Sequence, residues 1–174
     1  MQPLTSLLSL DGVLLDAAIS TRKRAFEEAS LMIERAAGIS HQLLFDAFFA
    51  RERLGSTCLG QGAALPRARV EGLRRTAVAV LRSAAPVDMD SPDGRRARLF
   101  LFIAAPEENP DAVQPVLLRG MALLSSRAMR EALLAAPDAE ALCEAVAAWE
   151  AGYGDGDAGP RQRIAGAIEE LDNA

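Results

Sequence analysis

"ARLFLFIAA", residues 97–105, constrains the fold more than any other stretch of this chain. The run is apolar except for Arg98, shows no polar alternation and ends at Pro106. A strand with one side in solvent alternates apolar and polar residues, whereas a strand buried on both faces is continuously apolar. The stretch therefore predicts a strand that is covered on both faces of its sheet.

Two shorter apolar stretches precede this strand. "LGQGAAL" (59–65) and "TAVAVLR" (76–82) are both bounded by glycine or proline, a pattern typical of strands. "SPDG" (91–94) has the composition of a turn and leads into the buried strand. We therefore predict two further strands and a turn ahead of residues 97–105.

Helical patterns lie on both sides of these strands. Residues 20–38 place apolar side chains at helical spacing, with Ser20 as the candidate N-cap and Gly38 as the stop. A second helix begins after Ser40 and ends before Gly55, so the two helices should form an αα-hairpin. Three more helices are predicted near residues 115–124, 127–135 and 139–149, the last with Asp138 as its cap.

The composition limits the classes of function. With 174 residues, 50% of them hydrophobic, the chain can bury one substantial core, so we predict a single α/β domain with one site. The net charge of −5 argues against a nucleic-acid or acidic-membrane surface, which needs a broad basic face. Cys58 and Cys143 do not suggest a disulfide framework or a metal cluster. No signal peptide or spanning segment stands out, so we predict a cytoplasmic protein.

The C-terminal part differs in composition. "AGYGDGDAGP" (151–160) is rich in glycine and has the character of a flexible linker. We therefore predict a domain over residues 1–150, followed by a linker and short tail over residues 151–174. Asp155 and Asp157 resemble the start of a calcium loop, but the later ligands are missing, so we predict no metal site. In the tail, the apolar positions at the spacing of one helix face are Ile164, Ile168 and Leu171.

Arginines cluster in "RERLGSTCLGQGAALPRARVEGL" (51–73). Guanidinium groups, hydroxyls and the backbone amides of glycine-rich turns are the donors that anion sites use. The candidate anion-binding residues are Arg51, Ser56, Thr57, Arg67 and Arg69, with the amides around Gly60 and Gly62. The alternative is that "PRAR" is a solvated surface loop and that the Ser-Thr pair only caps a turn.

Ordered motifs along the chain carry a resemblance to a known family. After two helices come "ARERLGST" (50–57), "LGQGAALP" (59–66), "APVDMDSPDG" (85–94), the buried strand and "APEENPDAVQ" (105–114), then three helices. From about Thr5 to about Glu150 this order resembles the enzyme IIA domains of the phosphoenolpyruvate-dependent phosphotransferase system. The nitrogen-regulatory branch, near the fructose/mannitol enzymes IIA, is the most similar. The resemblance implies an α/β fold with a mixed, mainly parallel sheet flanked by helices.

The resemblance also implies where a phosphorylation site would lie. In the family, a histidine directly after an alanine-x-proline motif accepts a phosphoryl group from a histidine-bearing carrier protein, and here that position is Arg67. A second family histidine, at the start of the helix after the buried strand, falls on Ala112 or Val113. Pro115 could displace that helix start. Arg51 stands where the family keeps an arginine near the phosphoryl group.

Arginine cannot take over the chemistry of the missing histidine. A neutral imidazole nitrogen has a lone pair that can attack phosphorus, whereas a guanidinium with a pKa above about 12 has none available. We therefore predict no catalytic residue, no cofactor and no phosphorylation at Arg67. The charge of Arg67 suits it to hold an anion.

These arguments predict a regulatory enzyme IIA-like protein that acts by docking on other proteins. By resemblance, its partners would be the phosphocarrier protein and components of potassium transport or sensor kinases. One alternative is an active phosphocarrier that uses another residue, for which the single histidine, His41, is the candidate. Another is a small-anion sensor in which Arg51, Arg67 and Arg69 clamp phosphate or a phosphorylated metabolite.

The neighbouring carboxylates decide whether the anion site is functional. Like charges a few ångströms apart repel, so arginines that share a concavity need a bound anion or a carboxylate beside them. Glu52 and Glu71 are the candidate carboxylates. If Arg67 pairs with either of them, or points into solvent, the pocket is only a relic.

Overall fold

The computed structural model describes residues 2–153, which form a six-stranded sheet with helices on both faces. The strands are β1 (Val13–Ala17), β2 (Cys58–Gly60), β3 (Ala63–Ala64), β4 (Arg67–Val70), β5 (Ala77–Val87) and β6 (Ala97–Pro106). The helices are α1 (Leu4–Leu7), α2 (Arg22–Ala37), α3 (His41–Leu54), α4 (Val113–Ser125), α5 (Arg127–Ala135) and α6 (Ala139–Gly152). Within this part of the chain, no helix combines the length and apolar character needed to cross a membrane.

The sheet is mixed. Its strand order is β1-β5-β6-β3-β2, and β4 continues along the same edge of β6 as β3. Three of the five pairings are parallel, namely β1 with β5, β3 with β6 and β4 with β6. The pairings of β5 with β6 and of β2 with β3 are antiparallel. The predicted α/β fold, with a mixed, mainly parallel sheet flanked by helices, is confirmed.

β6 separates two hydrophobic clusters. Leu101 and Ile103 belong to the cluster that contains buried side chains of α4, α5 and α6. Phe100 and Phe102 point to the opposite face, where Phe102 packs edge-on against Phe26 of α2. Successive strand residues point to opposite faces, so a strand covered on both sides must be apolar throughout. The prediction of a doubly buried strand is confirmed.

The predicted αα-hairpin is present, although its caps differ from those expected. Thr21, and not Ser20, is the N-cap of α2, because its side chain accepts a hydrogen bond from Arg24 N at 3.1 Å. Gly38 ends α2 with φ of 71°, a left-handed conformation that favours glycine. Ser40 precedes α3 as predicted but makes no side-chain cap bond.

Four of the strands were missed or misassigned from sequence. The stretch 59–65 was predicted as one strand, but Gly60, Gln61 and Gly62 all have positive φ and form the turn between β2 and β3. β4 was not predicted, because two of its four residues are arginines. β1 was also missed, since it is short and contains an aspartate.

The C-terminal helices follow the prediction closely. α4 begins at Val113, so Pro115 falls within its first turn, where the missing N–H is tolerated, and does not displace the helix start. α6 extends to Gly152, and Tyr153 stacks on Trp149 with ring centroids 4.7 Å apart. Residues 151 and 152 are therefore helical, where a linker was predicted. The predictions for Asp155, Asp157, Ile164, Ile168 and Leu171 concern positions outside the described residues.

Glu150 links α6 to α1. Its carboxylate accepts hydrogen bonds from the backbone N–H groups of Leu4 at 2.7 Å and Thr5 at 2.9 Å, the open end of α1. Arg119 of α4 lies 3.8 Å from the same carboxylate. The Glu150 side chain is only 8% exposed, the bond from Leu4 is partly buried and the bond from Thr5 is exposed.

Replacing Glu150 with alanine should destabilise the domain. The change removes the acceptor that caps two N–H groups, and the loss of a helix cap costs about 0.5–2 kcal/mol of unfolding free energy. Urea denaturation measures the effect, with the exposed Glu144 of the same helix changed to alanine as the control. Equal unfolding free energies for the two variants would contradict this assignment.

Arg82 is a buried side chain that makes five hydrogen bonds. It lies on β5 and is 4% exposed. Its Nη1 donates to the carbonyl oxygens of Leu133, Leu134 and Ala136 at 2.8–3.1 Å, which closes the C-terminal end of α5. Its Nε and Nη2 donate to the two carboxylate oxygens of Asp16 at 3.1 and 3.0 Å. Because these hydrogen bonds also lower the pKa of Asp16, that carboxylate stays charged in the folded protein.

Candidate functional site

Arg67 opens β4 at the outer edge of the sheet. Its register partner on β6 is Ile103, and paired residues of adjacent strands point to the same face. Ile103 belongs to the cluster that contains α4, so the Arg67 side chain lies on that face. Only 5% of Arg67 is exposed. The alternative of a solvated loop at "PRAR" is therefore wrong at this residue.

The other two candidate arginines occupy different surroundings. Arg69 lies two residues further along β4 on the same face as Arg67, but it is exposed. Arg51 is in the last turn of α3, on the opposite face of the sheet, and its Nη1 donates to Gly55 O at 2.9 Å. The helix that carries Arg51 therefore lies on the face of the sheet opposite to the Arg67 side chain.

The Ser-Thr pair is held by the protein itself. Ser56 Oγ donates to Met89 O, and Thr57 Oγ1 donates to the carboxylate of Glu52 at 2.6 Å. A hydroxyl has one proton to donate, so neither side chain keeps one for an anion. Ser56 and Thr57 therefore do not act as donors to an anion in this structure.

Glu52 holds the chain in place at Thr57. It is 5% exposed, its carboxylate also accepts from Thr57 N at 3.3 Å, and Arg22 of α2 lies 3.8 Å away. Glu52, which sequence reasoning offered as a candidate carboxylate beside Arg67, fixes the loop that follows α3. Arg22 was missed altogether. A glutamate near the end of a helix, followed by a threonine, is the sequence signal that could have suggested the contact between Glu52 and Thr57.

The glycine turn between β2 and β3 is occupied by a carboxylate. Asp93 accepts hydrogen bonds from Gln61 N at 2.8 Å, Ser91 Oγ at 2.6 Å and Arg95 N at 3.0 Å. Gly60 has φ of 87°, a conformation that favours glycine, and a Cβ there would lie close to Asp93 Oδ2, at 3.1 Å. Sequence reasoning identified residues 91–94 only as a turn. The backbone N–H of Gln61, between Gly60 and Gly62, therefore donates to a carboxylate of the protein itself, that of Asp93.

The hydrogen bonds to Asp93 predict that the stability of the protein depends on pH. The hydrogen bond from Gln61 N, followed by those from Ser91 and Arg95, lowers the pKa of Asp93 to about 2. Because this pKa is depressed on folding, the stabilisation is fully present above the unfolded pKa of about 3.9 and is lost as the pH falls through about 2. The stability difference between the wild type and Asp93→Asn should be largest above about pH 4 and should shrink towards pH 2. Urea denaturation over this range measures it, and a constant difference would contradict the argument.

The second position of interest lies at the start of α4. Ala112 ends the short Pro110–Ala112 turn and is the N-cap of α4, and Val113 is the first residue of the helix and is buried. Neither side chain can donate, accept or carry a proton. The N-terminal backbone amides of α4 therefore have no side-chain cap.

Comparison with known proteins agrees with this architecture. The family model described as "Phosphoenolpyruvate-dependent sugar phosphotransferase system, EIIA 2" matches residues 6–149. The chain belongs to this family. The resemblance inferred from the ordered motifs is thereby confirmed. The assignment of Arg67 to the acceptor position stays a prediction.

Relatives of this EIIA 2 chain are nitrogen regulatory proteins. The nitrogen regulatory protein of Pseudomonas aeruginosa is 33% identical over 147 residues, which cover 84% of this chain and 91% of that protein. The crystal structure of IIA-Ntr from Neisseria meningitidis superposes with a TM-score of 0.78 at 36% identity, covering 82% of this chain and 98% of that one. IIA mannitol from Escherichia coli shares the fold, with a TM-score of 0.69 at 20% identity over 80% of this chain and 98% of that one. The chain is a nitrogen-related IIA-like protein.

The single histidine of this IIA-like chain lies away from Arg67 and Arg51. His41 is the first residue of α3, and Arg51 is ten positions further along, which is about 15 Å at 1.5 Å per residue. Its Nδ1 lies 2.8 Å from Glu34 Oε2, and the same carboxylate accepts from His41 N. These contacts lower the pKa of Glu34. His41 therefore links α2 to α3, at the opposite end of α3 from Arg51.

Proposed function

We propose that this protein is a regulatory IIA-like protein of the nitrogen-related phosphotransferase system that accepts no phosphoryl group and acts by docking on other proteins. The observation that carries the proposal is Arg67, a buried guanidinium at the position assigned by the motif to the phosphoacceptor. A guanidinium has no lone pair for attack on phosphorus at neutral pH. Such a protein would be held in one state, whatever the phosphorylation state of the carrier.

The positive charge of Arg67 supports the binding of an anionic group without transfer of a phosphoryl group. A guanidinium presents a fork of N–H donors that matches the oxygens of phosphate and carboxylate groups. Among the solved relatives, an enzyme IIA mannitol from Escherichia coli is known in complex with phosphorylated enzyme IIB mannitol. We infer that this chain likewise docks on protein partners. By family resemblance, these would include a phosphocarrier protein and components of potassium transport or sensor kinases.

The alternative of an active phosphocarrier finds little support in the site. His41 is the only histidine in the sequence, and it lies about 15 Å along α3 from Arg51. It is bonded to Glu34, at the junction of α2 and α3. A carrier that docked at the arginine site would therefore present its phosphoryl group to Arg67 and not to His41.

Binding of a small oxyanion tests the electrostatic part of the proposal. Titration with sulfate or phosphate should show weak binding that falls with added salt, because the contact is charge-assisted. Arg67→Ala should weaken it several-fold, by about 1 kcal/mol or more. Arg69→Ala, two residues along the same strand but exposed, is the matched control and should have a smaller effect. Equal effects of the two variants would count against Arg67 as the anion ligand.

The proposal as a whole is tested by affinity capture from the source cell. The protein is used as bait either directly or after incubation with phosphoenolpyruvate and the upstream phosphotransferases. Since we propose that it is fixed in one state, the two baits should retain the same partners in the same amounts. A set of partners that appears or disappears with the incubation would contradict the proposal.

A further inference from the structure

A concave surface lies at the start of β5. It is a groove with a volume of about 690 Å³, bordered by α1, the C-terminal end of α2 and the loop that leads into β5. No residue of β4, which carries Arg67, is among the described residues that line it. The groove is therefore separate from the arginine site.

Part of the apolar lining of this groove is accessible. Leu7 of α1 and Ile39, which follows α2, are half-buried, and Ala36 and Ala37 at the end of α2 are exposed. The floor beneath them consists of buried side chains, those of Met32, Ile33 and Leu73. Apolar side chains that covered the accessible part would be removed from water together with it, which favours binding.

Charge adds a second preference. Within residues 2–153, the charged side chains that line the groove are those of Arg74 and Arg75, and both are exposed. The acids nearest to this lining in sequence, Asp11 and Glu71, are exposed but do not line the groove. The groove therefore attracts carboxylates, in a protein whose net charge is −5.

The end of α6 lies beside α1, which forms one wall of the groove. Glu150 accepts hydrogen bonds from two N–H groups of α1 at 2.7 and 2.9 Å, and Ser6 and Leu7 of the same helix line the groove. The described chain ends at Tyr153. Ten residues separate Tyr153 from Ile164, and ten extended residues span up to about 33 Å. The sequence from Ile164 onward is therefore within reach of the groove on its own chain.

That sequence has the chemistry that the groove selects. "IAGAIEELDNA", residues 164–174, contains three acidic residues and no basic one. Its Ile164, Ile168 and Leu171 recur at the spacing of one helix face. These residues lie outside the described part of the chain. A single short helix is marginal in water, so such a segment gains stability when its apolar face is covered.

We propose that residues 164–172 bind in this groove of their own chain as a short helix. The apolar face of the segment covers Leu7 and Ile39, and its acids lie beside Arg74 and Arg75. Because the segment is tethered, its effective concentration is on the order of millimolar, so weak contacts are enough to hold it. A partner protein that used this surface would first have to displace the segment. The contact is independent of Arg67 and of phosphorylation.

Paramagnetic relaxation enhancement in the full chain tests the contact. Cys143→Ser removes the half-buried thiol, Cys58 is buried and shielded, and a nitroxide is attached at Ala174→Cys. The label should broaden the amide signal of Ile39 strongly and that of Gly94, in the turn at the far end of β5, little. I168S/L171S should remove most of the broadening at Ile39, whereas Q162S/N173S, which changes two polar residues of the same region, should leave it unchanged.

Binding of a separate peptide measures the charge contribution. A fluorescein-labelled peptide of residues 164–174 should bind the full-length I168S/L171S chain more tightly than the natural chain, whose own segment competes. In the I168S/L171S background, R74Q/R75Q should weaken binding about tenfold, or about 1.4 kcal/mol, a loss that two surface ion pairs can account for. R95Q/R96Q, which changes two exposed arginines beyond the far end of β5, is the matched control and should not weaken binding.

Four results would each overturn the proposal. The first is equal broadening at Gly94 and Ile39, and the second is broadening at Ile39 that survives I168S/L171S. The third is equal weakening of peptide binding by the two arginine pairs. The fourth comes from mixing spin-labelled chains with isotope-labelled chains that carry no nitroxide: broadening at Ile39 in that mixture would show that the segment occupies the groove of a second copy.

Discussion

Replacing Arg82 with methionine is expected to lower the free energy of unfolding by about 3–5 kcal/mol. Methionine fills much of the same space but cannot donate to the three carbonyl oxygens at the end of α5, which lie in the interior. It also removes the two bonds to Asp16 that join β1 to β5. Buried acceptors without a donor are costly, so the loss should exceed that of any single surface contact.

Two companion variants make this measurement specific. Arg127→Met removes a guanidinium from a side chain that is 84% exposed and should change stability by less than about 0.5 kcal/mol. Arg82→Lys keeps the charge but not the planar fork and should fall between the wild type and Arg82→Met. If urea denaturation gives similar values for Arg82→Met and Arg127→Met, the Arg82 bonds do not stabilise the fold.

We expect Arg67→His to accept a phosphoryl group detectably, where the natural chain should accept none. The substitution supplies an imidazole nitrogen at the position that the motif assigns to the acceptor. Uptake should stay below that of an enzyme IIA with both histidines, because Ala112 and Val113 offer no second imidazole. Transfer of label from phosphoenolpyruvate through the upstream proteins measures the gain.

A histidine elsewhere on the same strand provides the control. Arg69→His places an imidazole two residues away on the same face of β4, in an exposed position. It should stay unlabelled if the docked carrier presents its phosphoryl group at position 67. Equal labelling of both variants would show that accessibility alone decides uptake, and no uptake by Arg67→His would show that the motif misplaces the acceptor.

The elements that sequence predicted well are those in which local pattern and burial coincide. β6 is apolar because both its faces are covered, and α2 ends at a glycine that adopts a left-handed conformation. β4 could not be predicted in this way, since Arg67 and Arg69 carry charge. Its strand geometry comes from pairing with β6, more than 30 residues later. Propensity is a weak guide where such long-range pairing decides the structure.

The sequence indicated the positive charge of residues 66–69 but not the hydrogen bonds of the neighbouring hydroxyl groups. The cluster "PRAR" and the preceding motif were enough to single out Arg67. The sequence could not show that Ser56 bonds to Met89, a partner 33 residues away, or that Thr57 bonds to Glu52. Hydroxyl groups bond to whatever acceptor the fold brings near, and that depends on tertiary packing.

The central claim is that the natural chain accepts no phosphoryl group, and intact-protein mass spectrometry tests it most directly. The protein is incubated with phosphoenolpyruvate and the upstream phosphotransferases, beside an enzyme IIA that retains its histidine, and kept at alkaline pH to preserve phosphohistidine. We predict that the control gains the mass of one phosphoryl group while this chain stays unchanged. A phosphorylated form of the natural chain, at His41 or at any other residue, would contradict the account.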